Sequence, residues 1–353
     1  MNLDDLSTLS QIDTQNMLAE IDGLPDQLAR AWRLGASQPL PETGLLQRVV
    51  IAGMGGSAIG ADLLAAYALD SCPLPVVVHR DYGLPAFADG PSTLVIASSH
   101  SGNTEETLDA FEAAAEAGCS LLAVCTGGEL EKRAAARGVP LWKFEHAGQP
   151  RAAVGFSFGL LLALFARLGL LPDPAEDLRE AVAAMKEQQT GLRAEVPVAR
   201  NPAKRLAGQL VGRWVNVYGA GLLAPVARRW KGQINELAKA GAGFEVLPEA
   251  DHNALAAVLH PQETLARTIS LFLQAPSDHP RNALRLDLTR QGFLVEGLNT
   301  DTYRAGGQTP LAHIWTALHF GDYTAFYLAM AYGVDPTPVE ALQNFKAAMK
   351  ARD

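Results

Sequence analysis

Short apolar runs separated by longer mixed stretches dominate the chain between positions 47 and 150. Val49-Val50-Ile51 and Leu94-Val95-Ile96 are typical of the runs. β-Branched and aliphatic residues in blocks of four to seven read as strands buried on both faces. The pattern predicts strands at 47–53, 74–79, 93–98, 120–125 and 140–144, with helices between them. Such alternation requires a parallel sheet with helices on both faces. Helical periodicity then covers 152–192, and a Pro-bearing linker, Glu195 to Pro202, follows. A second alternation begins with a strand from Trp214 to Tyr218 that ends in Gly219-Ala220-Gly221. A helix carrying Gln233 to Lys239 comes next, and Phe244–Leu247 and Thr268–Leu273 read as further strands. Residues 308–332 and 338–351 read as closing helices. Before the first strand, residues 1–43 read as one or two surface helices ending at Pro39-Leu40-Pro41. The expected class is α/β: a helical extension over 1–43, then two doubly wound units over 44–192 and 193–353, each on a parallel five-stranded sheet.

A chain of 353 residues has room for two such units, and 48% hydrophobic residues suffice for their cores. The net charge of −9 argues against a nucleic-acid partner. It leaves room for a small phosphate ester, because a local nest of amides and one arginine outweighs a diffuse negative field. Cys72, Cys119 and Cys125 are few and odd in number, with no Cys-x-x-Cys spacing. They point to a reducing compartment and against a zinc site. The acidic start, Met1 to Asp5, lacks the basic stretch of a signal peptide, so a cytoplasmic protein is expected. The most apolar stretch, Phe156 to Leu171, suits a buried core helix and is too short and Gly-interrupted for a membrane span.

Two turns carry candidate chemistry. Gly53-Met54-Gly55-Gly56-Ser57-Ala58 follows the first strand, and Ser98-Ser99-His100-Ser101-Gly102-Asn103-Thr104-Glu105-Glu106-Thr107 follows the third. A Gly- and Ser-rich turn at a helix N-terminus offers unpaired N–H groups and the positive end of the helix dipole, which suits an anion. On alternate strand–helix units, two such turns meet at one carboxyl edge. Gly53-x-Gly55-x-x-Ala58 also fits the dinucleotide fingerprint, with Asp81 as the ribose acid. The hydroxyl-rich second turn is not something a pyrophosphate needs. The plainest alternative gives these residues only turn and cap roles.

These two motifs, with Arg229-Trp230-Lys231-Gly232-Gln233-Ile234-Asn235-Glu236, Leu318-His319-Phe320-Gly321-Asp322-Tyr323 and Gly333-Val334-Asp335-Pro336-Thr337-Pro338, resemble the sugar isomerase (SIS) domain fold. More narrowly they resemble the bifunctional phosphoglucose/phosphomannose isomerases, over about 47–350. The Ser-x-Ser-Gly-x-Thr turn marks SIS domains in general, and the Asn-Glu and Asp-His-Asn elements narrow the likeness. The resemblance implies a phosphate anchor at Gly55, Gly56, Ser57, Ser99, Ser101 and Thr104. It implies Glu236 as the proton shuttle between carbons 1 and 2, and His252, supplied by the neighbouring subunit of a homodimer, as the ring-opening group. Arg151 would steady the enediolate, Lys346 would assist ring opening, and Thr337 would set sugar specificity. The implied reaction interconverts glucose 6-phosphate, and mannose 6-phosphate, with fructose 6-phosphate through a cis-enediol, as in glycolysis and gluconeogenesis. Neither metal nor organic cofactor is implied, and no membrane partner. On residue type alone, Glu236 reads equally as a surface helix residue paired with Lys239 or Lys231, Arg151 as a salt bridge at a helix mouth, and Lys346 as a solvated helix residue. Two departures stand out: His100 lies where the family usually has Tyr, and Ala254 where it often has an acid. The competing functions are a non-catalytic SIS sugar-phosphate sensor and an SIS isomerase of another sugar phosphate.

Overall fold

A computed structural model describes residues 2–352. Three helices come first: α1 (Leu6–Ile12), α2 (Met17–Asp22) and α3 (Leu24–Ser37). The first α/β unit follows as β1 (Arg48–Ala52), α4 (Gly55–Ala68), β2 (Val76–His79), β3 (Thr93–Ser99), α5 (Glu105–Glu116), β4 (Ser120–Cys125), α6 (Gly128–Arg137) and β5 (Leu141–Lys143). A 3-10 turn at Pro150–Ala153 leads into α7 (Val154–Arg167), and α8 (Ala175–Gln189) and α9 (Pro202–Leu210) cross to the second unit. That unit comprises β6 (Trp214–Ala220), α10 (Ala224–Leu237), β7 (Ala242–Leu247), α11 (Gln262–Ala266), β8 (Thr268–Gln274), α12 (Pro280–Val295), β9 (Asn299–Arg304), α13 (Pro310–Tyr332) and α14 (Glu340–Lys350).

All strands run parallel, in the orders β2-β1-β3-β4-β5 and β7-β6-β8-β9. The α/β class and the first sheet therefore match expectation. The second sheet has four strands, not five. Its last strand, Asn299–Arg304, was missed because Asn-Thr-Asp-Thr-Tyr-Arg carries no apolar run. An edge strand packed on one side only has no need of one. β3, by contrast, is buried at all seven positions.

The N-terminal helices also differ from expectation. There are three, and α3 is not a surface helix. Leu24, Leu28, Ala31 and Gly35 recur at helical spacing, are buried, and face α7. α7 is buried from Val154 to Phe165, so its apolar composition serves a core. α13 is the second buried helix. Its side chains from Leu311 to Met330 are all buried, and it packs on α8, α9 and α10. Arg229 on α10 forks onto Asp322 of α13 with N–O distances of 3.1 and 2.8 Å, pairing two charges in the interior. A bidentate pair of this kind fixes the register of the two helices more than it stabilises them.

Candidate active site

The first anion-type turn leaves β1 and enters α4 at Gly55. No side chain caps that helix, and Ser57 lies buried in its first turn. The second turn leaves β3 and enters α5 behind Thr104, again without a side-chain cap bond. Because β1 and β3 are neighbours in register, Ala52 opposite Ala97, the two uncapped N-termini sit side by side at the carboxyl edge. The hydroxyls of the second turn are held in place. Ser99 Oγ lies 2.8 Å from Thr104 Oγ1 and accepts the Gly102 amide at 3.1 Å, while Ser101 Oγ accepts the Asn103 amide at 3.2 Å. A third turn, after β4, braces the second. Thr126 donates its amide and its hydroxyl to the His100 carbonyl at 3.0 and 2.7 Å, and Glu129 donates its amide to Asn103 Oδ1 at 2.9 Å.

Arg151 stands directly beside this edge. A Cβ on Gly56 would come within 2.6 Å of the Pro150 carbonyl, so only glycine lets the α4 N-terminus approach the Arg151 turn. Arg151 is 6% exposed. Its Nη2 donates to the Pro336 carbonyl at 2.9 Å and to the Thr337 carbonyl at 2.5 Å, and its Nη1 lies 3.5 Å from Glu236 Oε2. Burial lowers the guanidinium pKa from its ordinary value, the Glu236 carboxylate opposes this, and Arg229 adds to the lowering. The Arg151 Nε and the Thr337 hydroxyl are both buried without a hydrogen-bond partner among the described residues.

Glu236 sits in the last turn of α10, with about a third of its side chain exposed. It pairs with Arg151 rather than with Lys239 or Lys231. Lys239 instead turns back with φ +53°, and its Nζ donates to the carbonyls of Glu236 at 2.9 Å, Leu237 at 3.2 Å and Asp335 at 2.6 Å. Desolvation of that ammonium, then the nearby Arg151, pull its pKa down to about 8 against Asp335 and Glu236. Lys239 and the Asp335–Thr337 loop therefore belong to the site's frame. Sequence patterns did not assign Lys239 this place, because a left-handed lysine closing a helix has no hydropathy signal.

Five elements thus bring together Gly55, Gly56, Ser57, Ser99, Ser101, Thr104, Arg151, Glu236 and Thr337. The same chain does not bring in His252 or Lys346. His252 ends the short turn Glu249–His252 beyond β7 and is exposed, with no polar partner among the described residues. Its neighbour Asp251 anchors that loop to α12, accepting from Arg285 at 2.8 Å and Thr289 at 2.7 Å. Lys346 lies on α14, a helix with no buried residue. A cavity of about 480 Å³ between α8, α9 and β9, with Trp230 and Phe320 in its lining, contains none of these residues. Among the described residues no group of three or more His, Cys, Asp or Glu side chains is arranged to hold a metal.

Two parallel sheets joined through buried helices, with hydroxyl-rich turns at one carboxyl edge, place the protein in the SIS class of phosphosugar-handling folds. A solved glucose-6-phosphate isomerase-like protein from Thermus thermophilus shares this fold, with a TM-score of 0.62 at 21% identity over 96% of this chain and 98% of that one. The family model for the bacterial phospho-glucose isomerase C-terminal SIS domain matches residues 199–349. A bifunctional phosphoglucose/phosphomannose isomerase from Caldicellulosiruptor bescii is 40% identical over 94% of this chain and 98% of its own length. Another, from Aquifex aeolicus, is 33% identical over 86% and 90%. The chain belongs to the bifunctional phosphoglucose/phosphomannose isomerase family.

Proposed function

We propose that the protein is an aldose–ketose isomerase that interconverts glucose 6-phosphate and mannose 6-phosphate with fructose 6-phosphate. The observation that carries this reading is the Arg151–Glu236 pair, 3.5 Å apart, beside two uncapped helix N-termini. The turns hold the phosphate through the amides of Gly55 and Gly56 and the hydroxyls of Ser57, Ser99, Ser101 and Thr104. That places the carbonyl end of a six-carbon sugar toward Glu236. Its carboxylate takes the proton from carbon 2 of the aldose and returns it to carbon 1, and the reverse for the ketose. Negative charge accumulates on the enediolate oxygens, where the buried, undissociable guanidinium of Arg151 stabilises it. Glucose and mannose phosphates differ only at carbon 2, so one planar enediol serves both when it can be protonated on either face. We assign that choice to Thr337, whose hydroxyl is buried without a partner among the described residues and whose carbonyl holds Arg151.

We assign ring opening to His252 of another copy of the chain, a reading supported by its exposed position away from Arg151 and Glu236 within one chain. We therefore read the functional unit as a homodimer with shared sites, acting in the cytoplasm. Lys346 on α14 is assigned the assisting role. We take the catalytic body as two SIS domains, 44–192 and 193–353, preceded by the helical segment 1–43. The reading requires no metal or organic cofactor.

The test is a coupled assay on purified protein in EDTA with fructose 6-phosphate. Both glucose 6-phosphate and mannose 6-phosphate should form. Glucose 6-phosphate alone would retain the isomerase and discard the mannose activity. Binding without either product would favour a sugar-phosphate sensor.

A further inference from the structure

The N-terminal helices carry none of the chemistry assigned above, yet they hold both halves of the site. Glu20 on α2 places Oε2 3.2 Å from His146 Nε2, and His146 Nδ1 lies 3.0 Å from His100 Nε2. His100 is the residue between Ser99 and Ser101. Its ring packs edge-on against Phe144 and His146, away from the turn's hydroxyls. His146 has 7% of its side chain exposed and lies five positions before Arg151 in the same loop. Further along, Gln27 on α3 donates to the Ala152 carbonyl at 2.9 Å and accepts the Gly155 amide at 2.8 Å. The segment from His146 to Gly155 is thus gripped on both sides of Arg151 by groups from the N-terminal helices.

The Glu20 carboxylate accepts from His146 Nε2–H, and the other ring nitrogen, Nδ1, shares a proton with His100 Nε2. The carboxylate therefore fixes which edge of the His146 ring faces the His100 turn. Burial and the neighbouring His146 push the His100 pKa down to about 4, against the pull of Glu20, which keeps that ring neutral. The arrangement is tight: a Cβ on Gly148 would strike Glu20 Oε1 and His146 Cε1.

We propose that Glu20, His146 and His100 form a positioning relay that fixes the distance between the Ser99–Thr104 turn and the Arg151 loop, and so governs affinity for the phosphate end of the substrate. The relay rests on the anion-binding role proposed for that turn. It moves no proton in the reaction, and Gln27 still holds Arg151 through Ala152 and Gly155 when it is lost, so its loss displaces the Ser99–Thr104 turn, acts on binding and spares turnover.

The experiment compares Glu20→Ala, Glu20→Gln and Gly148→Ala with wild type. It measures kcat and KM for fructose 6-phosphate, and the dissociation constant of inorganic phosphate by calorimetry. Losing one half-buried charge-assisted hydrogen bond predicts about a five- to twentyfold rise in KM and in the phosphate constant for Glu20→Ala, with kcat within about twofold. Glu20→Gln, which still accepts from His146, stays near wild type. Gly148→Ala deletes no group but displaces the Glu20 carboxyl, and it reproduces the Ala effect even if Glu20→Ala fails to fold. Unchanged KM and phosphate affinity in folded Gly148→Ala, or a fall in kcat at constant KM, overturns the relay. Failure of the wild type to bind phosphate, or indifference of binding to Ser99→Ala with Thr104→Val, instead overturns the role of the turn and takes the relay with it.

Discussion

The two α/β units share a backbone plan and differ in chemistry at the turns that leave their two central strands. β1 and β6 occupy the same place in their sheets, as do β3 and β8. Gly53-Met54-Gly55-Gly56-Ser57 after β1 corresponds to Gly219-Ala220-Gly221-Leu222-Leu223 at the end of β6, and the third residue of each is a left-handed glycine, φ +50° and +49°. The first turn opens at Gly56 and Ser57, while the second is filled by Leu222 and the fully buried Leu223. After β3 comes a run of hydroxyls. After β8 comes Ala275-Pro276-Ser277-Asp278, whose Asp278 accepts the Ala275 amide at 2.8 Å. A carboxylate there repels a phosphate, and a leucine closes the space for one. Fold symmetry thus supplies two candidate carboxyl edges, and local residue choice makes only the first suited to the anion role proposed for it.

The largest effect that would break this comparison is at the pair joining the units. Glu236→Gln should lower kcat by about 10²- to 10⁴-fold, the range for a lost general base, with inorganic phosphate affinity nearly unchanged. Equal losses of binding and turnover, read by calorimetry beside the coupled assay, would count against Glu236 as the shuttle. Next is Gly56→Ala, which transfers some of the second unit's bulk into the first. Its Cβ would fall 2.6 Å from the Pro150 carbonyl, so the Arg151 turn must shift, and both KM and kcat should suffer. Gly221→Ala, strained at its own turn, should reduce the melting temperature while kcat and KM measured at 25 °C stay put. A comparable kinetic loss there would mean the second edge is also in use.

A smaller effect separates the hydroxyl turns. Ser99→Ala with Thr104→Val should raise KM by about ten- to a hundredfold through lost hydrogen bonds to a charged ligand, and Ser277→Ala in the second unit should leave KM unaltered. The smallest effect is electrostatic. Burial raises the Asp278 carboxyl to about 6 from the ordinary 3.8. A raised acid stabilises the fold at low pH, where both states are protonated, and that contribution is lost as pH climbs from about 4 through 6. Denaturant unfolding at pH 4, 5, 6 and 7 should show Asp278→Asn gaining on wild type across this window and keeping a constant advantage above it. A parallel pair of curves would remove Asp278 as the source.

Much of the first unit was readable because its strands are buried on both faces. Val49–Ala52 and Leu94–Ala97 have to be apolar to be covered by helices on either side, and the turns that follow them are dense in glycine and hydroxyls. β9 escaped notice because an edge strand need satisfy only one neighbour. The buried face of α3 was in the chain as Leu24, Leu28, Ala31 and Gly35, but its partner, α7, lies more than a hundred positions away, and periodicity does not say what a face meets. The same limit applies to Glu236. By residue type it paired as well with Lys239 as with anything, and the choice fell to Arg151, 85 positions earlier, only when α10 and the Pro150–Ala153 turn were packed together.

The strand–helix alternation, the parallel sheets that alternation compels, and the residue types able to hold an anion and move a proton are all written in the chain. These are local properties, set by side-chain volume, hydrogen-bonding groups and backbone freedom within a few positions. Packing settled the rest: which carboxyl edge is open, that Arg151 faces Glu236 with its fork held by the Pro336 and Thr337 carbonyls, and that Glu20 reaches the Ser99–Thr104 turn through two histidines. Each of those depends on the distance between atoms far apart in the chain, and tertiary packing sets such distances where no local pattern can.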